Sequence, residues 1–150
     1  SMVLSDVLNT GQASLVTVSP DIPLVEAARM LRDNGIGVLV AVDANGNPAG
    51  ILSERDIARA VADHCEDNCV KLATAKVADY MSANVVVCEV TEQPQTAIWL
   101  MAEYGIRHLP ITSRGKLHGM VSSRDVLKVM ADMPVFEPED DANASVAVTL

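Results

Sequence analysis

An internal duplication is the feature that most constrains this chain. The segment Gly50 to Asp56 reads Gly-Ile-Leu-Ser-Glu-Arg-Asp, and the segment Gly119 to Asp125 reads Gly-Met-Val-Ser-Ser-Arg-Asp. Both lie inside longer matching segments, so the two halves of the chain are predicted to fold in the same way. Because a half of roughly 60 to 70 residues would be marginally stable alone, we expect the two halves to share a core.

The charge and hydropathy of the chain argue against two classes of partner. The 11 basic and 20 acidic residues give a formal net charge of −9, so the chain lacks the positive field that displaces counterions from nucleic acids. No apolar run approaches the roughly 20 residues that cross a bilayer, and the first residues lack the features of a signal peptide. We therefore expect a soluble, cytoplasmic protein that binds neither nucleic acid nor membrane.

The cysteines do not form a recognisable framework. Cys65, Cys69 and Cys88 are an odd number without disulfide-framework spacing, which is typical of a reducing compartment. His64, Cys65 and Cys69 offer three metal-binding side chains, but no fourth ligand lies nearby and structural zinc takes four. We predict no metal site.

Each half is predicted to contain a strand, a helix, two strands and a second helix. The first helix of the first half has apolar residues at i, i+3, i+4 and i+7 spacing, namely Leu24, Ala27, Ala28 and Leu31. Asp21 and Thr91 stand at the predicted N-caps of the two equivalent helices. Gly35 and Gly105 are predicted to end these helices.

Turn signals separate the two later strands of each half. Asn45-Gly46 is a strong hairpin signal, and Arg114-Gly115 takes its place in the second half. The second helix of the first half has Ile57, Ala60 and Val61 on its predicted apolar face. The predicted organisation is a first repeat with its lead-in (3–65), a connector (66–76), a second repeat (77–133) and an acidic tail (134–150).

The duplicated Ser-x-x-Asp has two interpretations. Ahead of an apolar helix it forms a capping box, in which the serine oxygen accepts a hydrogen bond from an N–H of the first turn. The acid in turn accepts a hydrogen bond from the N–H of the serine and suits the positive end of the helix. A ligand site is favoured by the glycine three residues before each serine, because glycine is expected where a group approaches the backbone closely. Both halves also carry Asp instead of the longer Glu. A carboxylate at a helix start can accept two hydrogen bonds from a ribose diol, and N–H groups there can meet a phosphate.

On the motif glycine, apolar, any residue, Ser or Thr, two variable residues and Asp, the chain resembles a tandem pair of CBS domains, also called a Bateman module. The resemblance extends from about Val3 to Met133. It implies an α+β fold of two β-α-β-β-α repeats packed sheet to sheet around two clefts, and a homodimer. It also implies that the clefts bind AMP, ADP, ATP, S-adenosylmethionine or NAD as a regulatory ligand, with no cofactor required.

The resemblance assigns roles to particular residues. Asp56 and Asp125 would hold ribose hydroxyls, Ser53 and Ser122 would contact ribose or phosphate, and the first strands would border the adenine. The ligand-binding residues expected on this basis are Gly50, Ile51, Ser53, Arg55, Asp56, Val16, Thr17, Val18, Val86, Val87, Cys88, Arg107, His108, Pro110, His118, Gly119, Met120, Ser122, Arg124 and Asp125.

The two halves differ at one place. Arg107 and His108 precede a strand of the second half, where related proteins carry basic residues that reach phosphate, whereas Gly37 and Val38 stand in the first half. We infer that one cleft takes a charged phosphate and that the other is weaker, accepts a less charged group or is empty. His108 has a second interpretation, as a histidine packed at the start of a strand.

The sequence thus predicts a regulatory protein that is not an enzyme. A ligand would shift a conformational equilibrium by binding one state better, and an unknown target protein would receive the signal. No catalytic residues are expected, since Ser53 and Ser122 lack an evident base. The alternatives are a scaffold in which Ser-x-x-Asp only caps helices, and a nucleotide-processing enzyme that uses His108. Arg55 and Arg124 either assist both clefts or form surface ion pairs.

Overall fold

A computed structural model describes residues 2–8, 15–64 and 70–132. The mixed α+β fold and the β-α-β-β-α order of both halves are confirmed in these ranges. None of the helices described there is both long and apolar enough to span a bilayer. Cys65, Cys69 and the predicted tail lie outside the described residues. The elements are α1 (Leu4–Leu8), β1 (Thr17–Val18), α2 (Leu24–Asn34), β2 (Val38–Val42), β3 (Pro48–Ser53), α3 (Glu54–His64), α4 (Val70–Thr74), α5 (Val77–Tyr80), β4 (Cys88–Glu89), α6 (Pro94–Tyr104), β5 (His108–Ser113), β6 (Lys116–Ser122) and α7 (Ser123–Ala131).

Each half forms one three-stranded sheet, in the order β1-β2-β3 and β4-β5-β6. β1 runs parallel to β2, and β4 runs parallel to β5, because helices α2 and α6 provide the crossovers that parallel strands require. β2 and β3 are antiparallel neighbours joined by a hairpin. In the second half, Arg114 and Gly115 both have positive φ, at 54° and 79°, which a two-residue type I′ turn requires.

The predicted N-caps of α2 and α6 are wrong. These helices begin after Pro23 and Gln93 and not at Asp21 and Thr91, and neither true cap residue makes a side-chain capping bond. In the first half, the first helical N–H donates instead to the carbonyl of Ala75 at 2.8 Å. In the second half, the first helical residue is a proline, which has no N–H to satisfy. The predicted glycine ends of both helices are confirmed.

The described residues separate into two compact units. Among the described residues, the first-repeat unit consists of 15–64, 70–85 and 115–117, and the second-repeat unit consists of 2–8, which contain helix α1, 86–114 and 118–132. Most of the buried apolar residues form one cluster in each unit. Each cluster is completed by a short helix, because Leu4 and Val7 of α1 lie in the second-repeat cluster and Val77 of α5 lies in the first-repeat cluster.

Helix α3 buries a narrower face than its sequence predicts. Ala60 is fully buried and Ile57 packs against the first-repeat cluster, as expected. The prediction that Val61 lies on the same buried face is wrong, because this residue is 40% exposed. The buried stripe follows Asp56 and Ala60, which are one helical turn apart. A carboxylate therefore takes a place that the apolar pattern alone would not assign to it.

Candidate functional site

Each duplicated segment crosses the junction between a strand and the helix that follows it. β3 ends at Ser53 and β6 ends at Ser122, and each aspartate is the third residue of the next helix. In the second half, the N–H of Asp125 donates to Ser122 Oγ at 3.0 Å, and the N–H of Ser122 donates to Asp125 Oδ2 at 3.4 Å. The same two bonds in the first half measure 3.3 Å and 2.7 Å. Capping boxes are therefore present in both halves.

The two aspartates differ in how much of the carboxylate the protein uses. Asp56 is 6% exposed, and its Oδ2 accepts from the N–H and the O–H of Ser53 at 2.7 and 3.1 Å. Its second oxygen, Oδ1, accepts from Nη2 of Arg59. In the second half, Asp125 is less buried and uses only Oδ2 for its bond to Ser122. Within the described ranges, Oδ1 of Asp125 accepts no hydrogen bond.

The duplicated glycines are explained by contacts within the protein. A methyl group at Gly50 would lie 2.8 Å from Cγ of Met81, and one at Gly119 would lie 2.8 Å from Cδ2 of Leu8. Both distances are shorter than normal contacts between carbon atoms. The close approach expected at these glycines is therefore made within the protein, by Leu8 of helix α1 and by Met81, which follows α5.

The residues beside each helix start differ in charge. The N–H of Ser123 donates to the carbonyl of Arg107 at 2.9 Å, and the N–H of Glu54 donates to the carbonyl of Gly37 at 3.0 Å. These pairs occupy equivalent positions. In the first half, the Glu54 carboxyl group lies near Gly37, with its Cδ 3.8 Å from the position of a Cβ there. The residue bonded to the start of α7 is therefore an arginine, whereas the residue bonded to the start of α3 is a glycine with the Glu54 carboxylate near it.

His108 is half-buried at the start of β5. Burial lowers the pKa of its imidazole below the usual value, the nearby Arg107 cation lowers it further, and the Asp125 carboxylate opposes them. The ring therefore favours its neutral form at pH 7, in which one nitrogen donates and the other accepts. Arg107, which is exposed, supplies the positive charge at this place.

The predicted adenine-bordering residues divide between interior and surface. Val18 and Cys88 belong to the two core clusters, and burial raises the pKa of the Cys88 thiol to about 11. Thr17 and Val87 are exposed. Val16 packs against the first-repeat cluster, and Val86 packs against the second-repeat cluster.

The other predicted ligand-binding residues lie on the strands and helix starts around the duplicated segments. Arg55, Arg124 and His118 are exposed, and in the part of the chain that the structure describes they make no ion pair. Within that part, neither Arg55 nor Arg124 therefore forms the surface ion pair that was the alternative interpretation. The less exposed members of the group are Ile51, Pro110 and Met120.

The sequence interpretation missed Arg59 and Glu54. Arg59 follows Asp56 by three residues, a spacing that brings two side chains together on a helix, and Lys128 stands at the same place after Asp125. Among the described residues, no group of three or more His, Cys, Asp or Glu side chains is placed to hold a metal. We call two sets the first-repeat site (Gly37, Ser53, Glu54, Asp56 and Arg59) and the second-repeat site (Arg107, His108, Ser122, Ser123, Asp125 and Lys128).

Comparison with known proteins identifies relatives that match most of the chain. The sequence model of the family described as "CBS domain" matches residues 4–63 and 77–132. A 17.7 kDa protein of Acidianus ambivalens is 33% identical over 117 residues, which are 77% of this chain and 67% of that protein. Other relatives are longer, and the chain spans 57% of one from Methanopyrus kandleri and 30% of one from Methanocaldococcus jannaschii.

Solved structures show the same fold. A CBS-domain-containing protein from Agrobacterium tumefaciens matches with a TM-score of 0.73 and 32% identity, over 86% of this chain and 99% of that one. The CBS domain pair of protein MJ0100, solved in complex with 5′-methylthioadenosine and S-adenosyl-L-methionine, matches with a TM-score of 0.70 and 25% identity. That match covers 87% of this chain and 96% of the other.

Proposed function

Because this chain belongs to the CBS domain family, we propose that it is a non-catalytic regulatory module that binds an adenosine derivative at its duplicated segments. A similar domain pair, of protein MJ0100, was solved with two adenosine derivatives. The observation that carries the proposal for this chain is the second-repeat site. There, an aspartate held by a capping box keeps one carboxylate oxygen without a hydrogen-bond donor in the described ranges, next to an exposed arginine.

The second-repeat site offers complementary chemistry to a ribonucleotide. Ser122 fixes one oxygen of Asp125, which orients the other oxygen to accept from the hydroxyls of a ribose. Arg107 lies beside the start of α7, where the helix dipole also favours an anion. A guanidinium at this place suits a phosphate, because its fork of N–H groups matches phosphate oxygens. His108, in its neutral form, adds one donor and one acceptor.

The first-repeat site is less suited to a phosphate. Gly37 contributes no side chain at the position that Arg107 occupies in the second-repeat site. The carboxylate of Glu54 lies near Gly37. Like charges at close range repel, and the repulsion is stronger near a protein surface than in bulk water. We therefore assign AMP, ADP or ATP to the second-repeat site, with S-adenosylmethionine and NAD as the other candidate ligands of the chain.

A ligand screen tests the proposal directly. Thermal unfolding of the intact chain is followed with AMP, ADP, ATP, S-adenosylmethionine, NAD and adenosine, each at up to millimolar concentration. We expect at least one adenine compound to raise the melting temperature in a saturable manner, because a ligand that binds only the folded state stabilises it by mass action. Guanosine monophosphate serves as the matched compound with the same ribose and phosphate. If no adenine compound shifts the transition, the binding proposal is wrong.

Substitution of the arginine tests the assignment of the phosphate. Arg107→Gln removes the guanidinium from an exposed side chain, so the fold should be preserved. We expect weaker binding of AMP and little change for adenosine, because adenosine lacks the phosphate. Equal weakening of both ligands would contradict a phosphate role for Arg107.

The proposal extends to assembly and signalling. We propose a cytoplasmic homodimer whose occupancy is passed to a target protein through a change of conformation. Sedimentation velocity of the intact chain, with and without AMP, measures the assembly. A monomer at all concentrations would remove the dimer from the proposal without affecting the ligand.

A further inference from the structure

We propose that Arg59 closes the first-repeat site by occupying the carboxylate of Asp56, so that in the resting protein only the second-repeat site is open. This inference rests on the proposed function of the duplicated segments as ribose-binding sites. Arg59, a residue of α3 itself, would compete with the ligand for Asp56. This competition would explain why two sites with the same motif differ in occupancy.

Both carboxylate oxygens of Asp56 accept hydrogen bonds from its own repeat. Ser53 donates its N–H and its O–H to Oδ2 at 2.7 and 3.1 Å, and Arg59 Nη2 donates to Oδ1. The Asp56 side chain is 8% exposed. A ribose diol needs carboxylate oxygen with a free lone-pair direction. It therefore competes with the guanidinium for Oδ1.

Arg59 is positioned as a removable blocker. Its side chain is 64% exposed, in contrast with that of its partner, so it can leave the carboxylate for solvent without breaking a packed core. Because the Arg59 side of this ion pair is in contact with water, solvent screening weakens the attraction. The contact therefore reduces the affinity of the first-repeat site and does not abolish it.

The second repeat shows the arrangement without the blocker. Lys128 occupies the position of Arg59, three residues after the aspartate, and it makes no ion pair with Asp125 in the described part of the chain. The two side chains differ in reach and shape, since arginine carries a planar fork that fits a carboxylate and lysine carries a compact, strongly hydrated ammonium. One substitution between similar residues thus separates a closed site from an open one.

The chemistry of the opened site favours an uncharged ligand. When Arg59 leaves Asp56, the carboxylates of Asp56 and Glu54 both remain in the first turn of α3. Two negative charges near a ligand disfavour a phosphate. Adenosine is therefore the ligand expected at the opened first-repeat site, whereas AMP is expected to remain at the second-repeat site.

Calorimetry with adenosine tests the inference on four forms of the intact chain: wild type, Arg59→Gln, Lys128→Arg and Arg32→Gln. The last is the control, because Arg32 is another exposed arginine of the same unit that pairs with an acid, Asp33. We expect Arg59→Gln to reveal a second adenosine site or to strengthen a weak one by about fivefold to tenfold. We expect Lys128→Arg to weaken the second-repeat site by a similar factor, and Arg32→Gln to behave like the wild type.

Each outcome decides between defined possibilities. If the wild type binds one adenosine and Arg59→Gln adds no site and no affinity, Arg59 is not a blocker and the proposed function stands. If Arg59→Gln weakens binding, Arg59 helps to hold the ligand and the inference is overturned. If none of the four forms binds adenosine or AMP, the proposed function fails and the inference fails with it. Arg59→Lys, which reproduces the second repeat, should give the result of Arg59→Gln with the positive charge retained.

Discussion

Replacement of Gly119 by alanine is a sensitive test of why the duplicated segments begin with glycine. The added Cβ would lie 2.8 Å from Cδ2 and 3.1 Å from Cδ1 of Leu8, whereas carbon atoms prefer separations of about 3.5 to 4.0 Å. Leu8 packs against the second-repeat cluster, so it cannot swing away freely. One of the two partners must move.

The size of the effect follows from two opposing contributions. Insertion of one methyl group into a packed region costs about 1 to 3 kcal/mol. Replacement of glycine by alanine also lowers the conformational entropy of the unfolded chain, which stabilises the folded state by about 0.4 to 1 kcal/mol. We therefore expect Gly119→Ala to lower the free energy of unfolding by about 1 to 2 kcal/mol, which corresponds to a loss of roughly 2 to 8 °C in melting temperature for a chain of this size.

The assay is a double-mutant cycle with Leu8→Ala. Urea unfolding is followed by the fluorescence of Trp99, which is the single tryptophan of the chain and packs against the second-repeat cluster that contains the contact. In the Leu8→Ala background, Gly119→Ala should be neutral or slightly stabilising, because the methyl group then has space. A coupling energy of about 1 kcal/mol or more is expected for residues in direct contact.

Two results would refute this reasoning. Equal costs of Gly119→Ala in both backgrounds would show that Leu8 does not require the glycine. An unchanged stability together with lost AMP binding would show that the glycine makes room for the ligand. A second cycle with Gly50→Ala and Met81→Ala examines the same contact in the first repeat.

Further predictions concern the aspartates and His108. Asp56→Ala should destabilise the fold by about 2 to 3 kcal/mol, because it removes the acceptor of three hydrogen bonds and leaves a partly buried N–H without a partner; Asp125→Ala should cost about 0.5 to 2 kcal/mol, as for an ordinary cap. Urea unfolding measures both free energies. A larger loss of stability in Asp125→Ala than in Asp56→Ala would contradict the greater number of hydrogen bonds that Asp56 accepts. The lowered pKa of His108 means that below about pH 6.5 the unfolded chain takes up a proton that the folded chain resists, so stability falls as the pH falls. The melting temperature between pH 7.5 and 5.5 should therefore depend less on pH in His108→Gln, and an unchanged dependence would contradict the burial of the ring.

Local patterns were sufficient to predict the architecture of each repeat. The spacing of Leu24, Ala27 and Leu31 placed the buried face of α2 correctly, and Gly35 ended the helix as predicted. These features depend on residues close together in the chain. The N-cap of α2 depends on a distant residue, since the first helical N–H donates to the carbonyl of Ala75, and no local pattern contains that information.

The candidate site was predictable as a set of motif residues but not in its asymmetry. Ser-x-x-Asp identified both helix starts, and the position of Arg107 distinguished the second half. The reason for each glycine required the packing of the lead-in residues Leu8 and Met81. Arg59 was visible at helical spacing from Asp56, but the sequence does not show that the neighbouring carboxylate is buried and directed toward it.

A calorimetric titration of AMP into the wild type, Asp125→Asn and Asp56→Asn tests the central claim most directly. Asparagine keeps the size of the side chain and removes the charge and one acceptor oxygen. We predict one saturable AMP site per chain in the wild type, loss of that site in Asp125→Asn, and its retention in Asp56→Asn. Undiminished AMP binding in Asp125→Asn, or loss of binding in Asp56→Asn alone, would contradict the assignment of the nucleotide to the second-repeat site.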